Sequence, residues 1–180
     1  MDIRLFKDYK KVVVREGKYI RFLKKGGWEY VERNNCTGIV IVLAMTDEGE
    51  VIFTEQYRPP VETNVIEFTA GLVNDRNPKK KESLVTAARR ELLEEAGYTA
   101  RKFVQITQGP VSGGLTSDRI YMLRAFGLKK VSQGGGDGTE FIKVHEVDLK
   151  KVPRWLRQQE KKGCLVDPKV YAGLYFLNAA

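Results

Sequence analysis

The sequence predicts an α/β fold, a mixed β-sheet sandwiched between helices, with an antiparallel β extension at its N-terminus. Three observations lead there. Strand-like segments flank one strongly helical stretch and two further helical stretches close the chain, an order that layers helices on a sheet rather than alternating with it. "TGIVIVLAMT" is a continuous apolar run suited to a central strand. Residues 1–35 alternate apolar and charged side chains, which suits short strands with one face on a neighbour. The 180 residues are 42% hydrophobic and 30% charged, enough for one cored domain over 36–180 with residues 1–35 as an appendage.

Each element has its own reason. In "KVVVREGKYIRFLKKGGWEYVER", "EGK" and "KKGG" are turn sequences, so the segment is an antiparallel meander. It is too small to hold a core alone and must pack on something. After the central strand, "DEGE" turns the chain and "VIFTEQYR" returns, until Pro59-Pro60 breaks the sheet. "NVIEFTAG" is a further short strand, and "NDRNPKKKES" is a polar surface loop. Residues 83–96 make the best helix, with Ser83 as N-cap and Gly97 as its C-terminal stop. On that helix Leu84, Val85, Ala88, Leu92 and Ala96 share one stripe. "KFVQITQ" and "RIYMLRAFGL" are strands around "GPVSGGLTSD", and "SQGGGDG" is a loop without side chains to pack. "EFIKVHEVDL" is another strand, and "LKKVPRWLRQQEKKG" and "DPKVYAGLYFLNA" are closing helices, with Val170, Leu174 and Leu177 about a turn apart in the second. No internal repeat is present.

Composition narrows the functions. A net charge of +8 admits an anionic partner: nucleic acid, a membrane surface or a phosphorylated small molecule. No apolar run is long enough to span a bilayer, so no membrane partner is expected. The opening "MDIRLFKDYKK" lacks the apolar core of a signal peptide. Cys36 and Cys164 are too few for a secreted framework, so reduced thiols and a cytoplasmic location are expected. The single histidine, His145, excludes a multi-histidine metal site and is expected to be structural or half exposed.

"RRELLEEAGY", residues 89–98, gathers Glu91, Glu94 and Glu95 on the flank of the helix stripe. Like charges one turn apart cost about 0.2–0.5 kcal/mol per pair in an isolated helix, and repel more strongly where water is partly excluded. Spacing alone leaves two readings: an acid-rich solvated face, or ligands for a hard divalent cation such as Mg²⁺.

Context separates them. From Glu82 through Arg90-Glu91, Glu94-Glu95, Gly97 and Tyr98, the chain resembles the Nudix hydrolase signature. The signature's leading glycine belongs at position 76, where this chain has Arg76; Gly71 resembles it with five residues inserted after it. "EQYRPPVETNVIEFTAGLV" resembles the approach to the motif in ADP-ribose pyrophosphatases, with Phe68-Thr69 in place of their Leu-Pro. "EFIKVHEVDL" and "GCLVDPKVYAGLYFL" are also similar to that subfamily, so the resemblance covers residues 38–178 and implies the Nudix fold.

The resemblance also implies a chemistry. A nucleoside diphosphate linked to another moiety is hydrolysed at its pyrophosphate with Mg²⁺, or Mn²⁺ in its place. Glu91 and Glu95 would be the main metal ligands, Glu94 and Glu82 assisting ones, and the Ala70 carbonyl a further one. Arg90 would hold the glutamates, with Gly71 as the supporting glycine. Arg58 is a candidate pyrophosphate contact, or else forms a surface ion pair. Glu67, Leu115 and Asp118 complete the expected substrate contacts. Related enzymes take their general base from a mobile loop before the last strand. That points to Glu140 first and Asp137 second, in "SQGGGDGTE", with Glu94 as the catalytic alternative on the helix.

The expected substrate is a nucleoside diphosphate sugar, ADP-ribose first and GDP-mannose or another nucleotide sugar as the alternative. The subfamily's proline about sixteen residues after the motif is replaced by Gly114. The rivals from another class are a basic nucleic-acid-binding domain and a ligand-sensing domain without turnover. Scattered lysines and arginines, with no zinc finger or stacking motif, argue against nucleic acid, and the intact glutamate set argues against an inert sensor. Residues 1–35 carry Phe6, Tyr9, Tyr19, Phe22, Trp28 and Tyr30, more rings than so small a segment can bury on itself. Related enzymes exchange such strands in dimers, so a homodimer is expected. In it Trp28 either stacks on the nucleobase in the partner's site or packs in the interface.

Overall fold

A computed structural model describes residues 8–75, 81–136, 138 and 140–178. The N-terminal meander is β1 (Lys11–Glu16), β2 (Ile20–Lys25) and β3 (Trp28–Arg33), an antiparallel sheet of its own. It attaches through β3. The Val31 N–H donates to the Leu115 carbonyl at 2.8 Å, and the Ser117 N–H donates to the Val31 carbonyl at 3.1 Å. β1 lies at the free edge with every residue exposed.

Two further sheets form the body. One has the order β7 (Thr69–Val73), β4 (Gly38–Ala44), β9 (Arg119–Lys130), β8 (Tyr98–Pro110), with β4 and β9 parallel. The other has the order β10 (Ile142–Asp148), β5 (Glu50–Arg58), β6 (Thr63–Glu67), β11 (Leu165–Val166), with β11 and β6 parallel. α1 (Leu84–Ala96) packs on β7 and β8, α2 (Val152–Lys161) on β10 and β11, and α3 (Pro168–Asn178) on β6. Strand alternation sorts side chains between two cores. Val40, Val42 and Ala44 meet Ala87, Ala88 and Leu92 of α1. Ile41 and Leu43 meet Leu156 of α2 with Val170 and Leu177 of α3. Helices thus cover both faces of the β layer, as expected for the α/β sandwich.

Four details differ from the sequence expectation. "NVIEFTAG" is two strands in different sheets, because β6 pairs with β5 whereas β7 pairs with β4, and buried Phe68 sits at the switch. Strand β10 begins at Ile142, leaving Glu140 and Phe141 outside it. The two-residue β11 was not expected. In α1 the buried face is Ala87, Ala88, Glu91, Leu92, Glu95 and Ala96, while Val85 is exposed. The helix is rolled so that Glu91 and Glu95 lie within its buried face rather than on the flank.

The ends of α1 follow the cap expectation. The Ser83 hydroxyl accepts from the Thr86 N–H at 3.1 Å, a contact whose loss costs about 1 kcal/mol. Gly97 ends the helix with φ +76°. His145 is a structural contact, its Nε2 2.7 Å from Glu55 Oε2 and its ring edge-on to Trp155. Both cysteines are free and half-buried. The expected enlarged loop falls mainly on residues 76–80, and Phe6 and Asp137 lie with them outside the described residues.

Candidate active site

A cavity of about 980 Å³ opens beside α1, and both body sheets contribute to it. Its acidic part holds Glu91, Glu94 and Glu95, together with Ala70 and Gly71 from β7 and Asp75 just beyond it. Arg58 and Glu67 come from β5 and β6, Asp118 from the residues before β9, and Glu140 from the residues before β10. The cavity therefore gathers most of the side chains expected from the sequence, although they are far apart in the chain.

Glu91 and Glu95 are buried, and close approach explains the glycine opposite Glu91. A Cβ on Gly71 would lie 1.9 Å from Glu91 Cδ, so any side chain there evicts the carboxylate. The Ala70 N–H donates to Glu95 Oε2 at 3.1 Å. Arg90 lies between the acids: Nη1 is 2.5 Å from Glu91 Oε1, Nε is 3.2 Å from Glu82 Oε1, and Nη2 donates to the Leu72 carbonyl at 2.9 Å and reaches Asp75 at 3.3 Å. Glu94 Oε2 is 3.6 Å from the same guanidinium. Glu82 does not line the cavity; it faces Arg90, and its other oxygen accepts from the Asn74 N–H at 3.0 Å.

One guanidinium cannot neutralise Glu82, Glu91, Glu94 and Asp75 together. Burial, reinforced by the nearby acids against the pull of Arg90, pushes the Glu91 carboxyl up to about 7. Burial and the Glu91 charge push Glu95 well above the ordinary carboxylate range. Arg58 is tied to Glu67 by a 2.7 Å ion pair. Burial works against the Arg58 charge, but Glu67, Glu95 and Glu140 raise its pKa on balance.

Among the described residues, no group of three or more acidic, histidine or cysteine side chains is arranged to hold a metal ion. The chemistry of the donors, rather than their present arrangement, suits a hard divalent ion. The set is all oxygen, partly desolvated and more anionic than its one bracing arginine. Mg²⁺-like ions keep several waters and need few protein ligands.

The titration has a measurable consequence. The folded-state value of about 7 for Glu91 lies above its ordinary 4.5, so between those values the folded chain holds a proton that the unfolded chain has lost. This contribution to stability is full below the unfolded value and is lost as pH rises to about 7. In chelator, Glu91→Gln should therefore gain melting temperature relative to the wild type as pH rises from 5 to 7.5. A pH-independent difference between the two proteins would contradict this titration.

Other expected contacts fall elsewhere. Trp28 Nε1 donates to the Gly114 carbonyl at 3.2 Å and lines a separate cavity of about 320 Å³ with Lys25, Tyr30 and Gly113. Leu115 is exposed outside the large cavity, and its carbonyl anchors β3. The sequence reading missed Arg33, which lines the cavity with Nε 3.2 Å from Asp118 Oδ2, and Lys169, paired with Asp167 at the far wall. Arg33 stands in no motif, and Lys169 lies in the C-terminal stretch of the resemblance without a pattern that singles it out.

The Nudix-domain family profile matches residues 36–167. The chain belongs to the Nudix family. An ADP-ribose pyrophosphatase of Bacillus subtilis (strain 168) is 36% identical over 124 residues, 68% of this chain and 64% of that protein. The match thus spans less than two thirds of that relative's own length. A methanol dehydrogenase activator of Bacillus methanolicus is 30% identical over 142 residues, 78% of this chain and 72% of that protein. The Nudix chain also superposes on the crystal structure of an ADP compounds hydrolase with a TM-score of 0.67. That match covers 94% of this chain and 90% of the other at 18% identity, a likeness of fold. Among the described residues, no helix is long and apolar enough to cross a membrane.

Proposed function

We propose that this Nudix domain is a divalent-metal-dependent hydrolase of nucleoside diphosphate sugars, with ADP-ribose first and GDP-mannose as the alternative. The observation that carries the reading is the convergence of Glu91, Glu94, Glu95, Arg58 and Glu140 on one cavity. Glu91 and Glu95 would hold Mg²⁺, or Mn²⁺ in its place, with Glu94 and the Ala70 carbonyl assisting. Glu82 was expected to assist as a ligand; its contacts with Arg90 and Asn74 support instead a role in bracing Arg90. When bound, the metal supplies positive charge to the pyrophosphate oxygens. Arg58, oriented by Glu67, adds a second positive group for the same oxygens. Glu140 would take the proton of the attacking water, which adds to phosphorus as the P–O bridge breaks.

The test is a panel of ADP-ribose, GDP-mannose and other nucleotide sugars with Mg²⁺, Mn²⁺ or chelator, read by release of nucleoside monophosphate and sugar phosphate. Release that requires the cation supports the reading, and ADP-ribose should lead. No turnover of any member, with salt-sensitive nucleic-acid binding in its place, would overturn it.

The same reading includes a cytoplasmic homodimer built through residues 1–35. The two free cysteines support the compartment. The dimer is supported by β1, an open edge strand whose Val12, Val13 and Val14 are each about half exposed, with Tyr9, Tyr19 and Trp28 also exposed. Sedimentation should give a dimer for the whole chain and a smaller or aggregated species without residues 1–35. Trp28→Ala should raise KM if the indole stacks on a nucleobase across the interface, and leave KM unchanged if it packs. A full-length monomer at micromolar concentration would refute the dimer.

A further inference from the structure

The loop from Ser132 to Gly136 leads toward Glu140 and carries no side chain larger than glutamine. Its backbone is nonetheless tied down. The last carbonyls of a helix have no partner within it and must find donors elsewhere. In α1, the carbonyls of Leu92 and Leu93 accept from the Gly97 N–H. The next two are taken by the glycine loop: the Gly136 N–H donates to the Glu94 carbonyl at 3.0 Å, and the Gly135 N–H donates to the Glu95 carbonyl at 2.9 Å. Just beyond the helix, the Gly97 carbonyl accepts from the N–H groups of Val131 at 2.8 Å and Ser132 at 3.1 Å. On the other flank of Glu140, the Ile142 N–H donates to the Gly135 carbonyl at 3.3 Å.

The close approach needs glycine. Gly134 has φ +69°, and a Cβ there would lie 2.4 Å from the Glu95 carbonyl oxygen and 2.6 Å from the Ala96 carbonyl carbon. These are backbone atoms of a helix packed on β7 and β8 and cannot rotate aside.

We propose that Gly134 is a positioning residue: it lets the Ser132–Gly136 strap clamp the C-terminal carbonyls of α1, and so fixes Glu140 relative to Glu91 and Glu95. The helix that presents the metal-binding carboxylates and the strap that presents the base share one set of backbone hydrogen bonds. The two are thereby held in register across the cavity they both line. The inference rests on the assignment of Glu140 as the base.

The full-length protein tests it in two ways. Amide exchange on the wild type should show Gly135 and Gly136 protected to the level of the α1 amides. Exchange at the rate of an open loop would overturn the clamp even if no variant folds. Gly134→Ala should then lower kcat roughly tenfold to a hundredfold with KM nearly unchanged, because displacement of a catalytic group by about 1 Å suffices for such a loss. Added to Glu140→Gln, it should cost little more, since both changes remove the same function. Normal kcat in Gly134→Ala, with Glu140→Gln impaired, would overturn the positioning role alone. Additive losses would also overturn it. Normal kcat in Glu140→Gln would instead overturn the base assignment and the role built on it.

Discussion

Glu91→Gln and Glu95→Gln should each remove most cation-dependent turnover, a loss on the order of 10²–10³ in kcat or more, without unfolding the protein. Both substitutions keep the side-chain volume, and burial is severe at both positions, with 8% of Glu91 and 7% of Glu95 accessible. A carboxamide at 95 can still accept from the Ala70 N–H through its oxygen, so the local backbone contact survives. What disappears is the negative charge that would attract the metal. Removing that charge also relieves desolvation and mutual repulsion, so melting temperature in chelator at neutral pH should hold or rise. Stabilisation by added Mg²⁺ should shrink in both variants, because metal bound to the folded state alone raises its stability by mass action. Near-normal turnover in both variants would refute the ligand assignment.

Glu140→Gln should lower kcat by about 10²–10⁴ while substrate affinity survives, since proton abstraction belongs to the transition state. Glu140 lies on the cavity wall with Gly136 and is electrostatically coupled to both Glu95 and Arg58. Its placement suits a base that acts opposite the carboxylates proposed to hold the metal. Asp137→Asn is the parallel test, because both acids stand in the same glycine-rich segment. If Asp137→Asn carries the larger loss, the base is the other acid of that segment. If neither slows turnover, Glu94 on α1 becomes the candidate.

Local physics made some elements legible. Helix α1 declared itself through Ser83, its apolar spacing and Gly97, each acting within a few residues. The meander and β4 followed from alternation and from an unbroken apolar run. Local pattern failed where pairing is long-range. Nothing within "NVIEFTAG" marks the change of partner at Phe68, because the difference lies in β5 and β4, not in the segment. A two-residue strand such as β11 is too short to show a period. Val85 is apolar and correctly spaced, yet the roll of α1 on β7 and β8 leaves it outside the core.

By itself, the sequence determined the family motif, the helix that carries it and the types of residue able to bind a hard cation. Those depend on spacing along one element, which covalent geometry converts directly into a shared helix face. Only the tertiary structure decided that Glu91 faces inward under Gly71 and Glu95 against the Ala70 N–H, and that Arg90 is shared among Glu82, Glu91, Glu94 and Asp75. It also decided that the glycine loop is tied to the helix rather than hanging free, and that Trp28 lies away from the glutamate cavity of its own chain. These arrangements join residues distant in the chain through backbone hydrogen bonds and close approach. Glycine and main-chain groups make such contacts without any side-chain pattern to announce them.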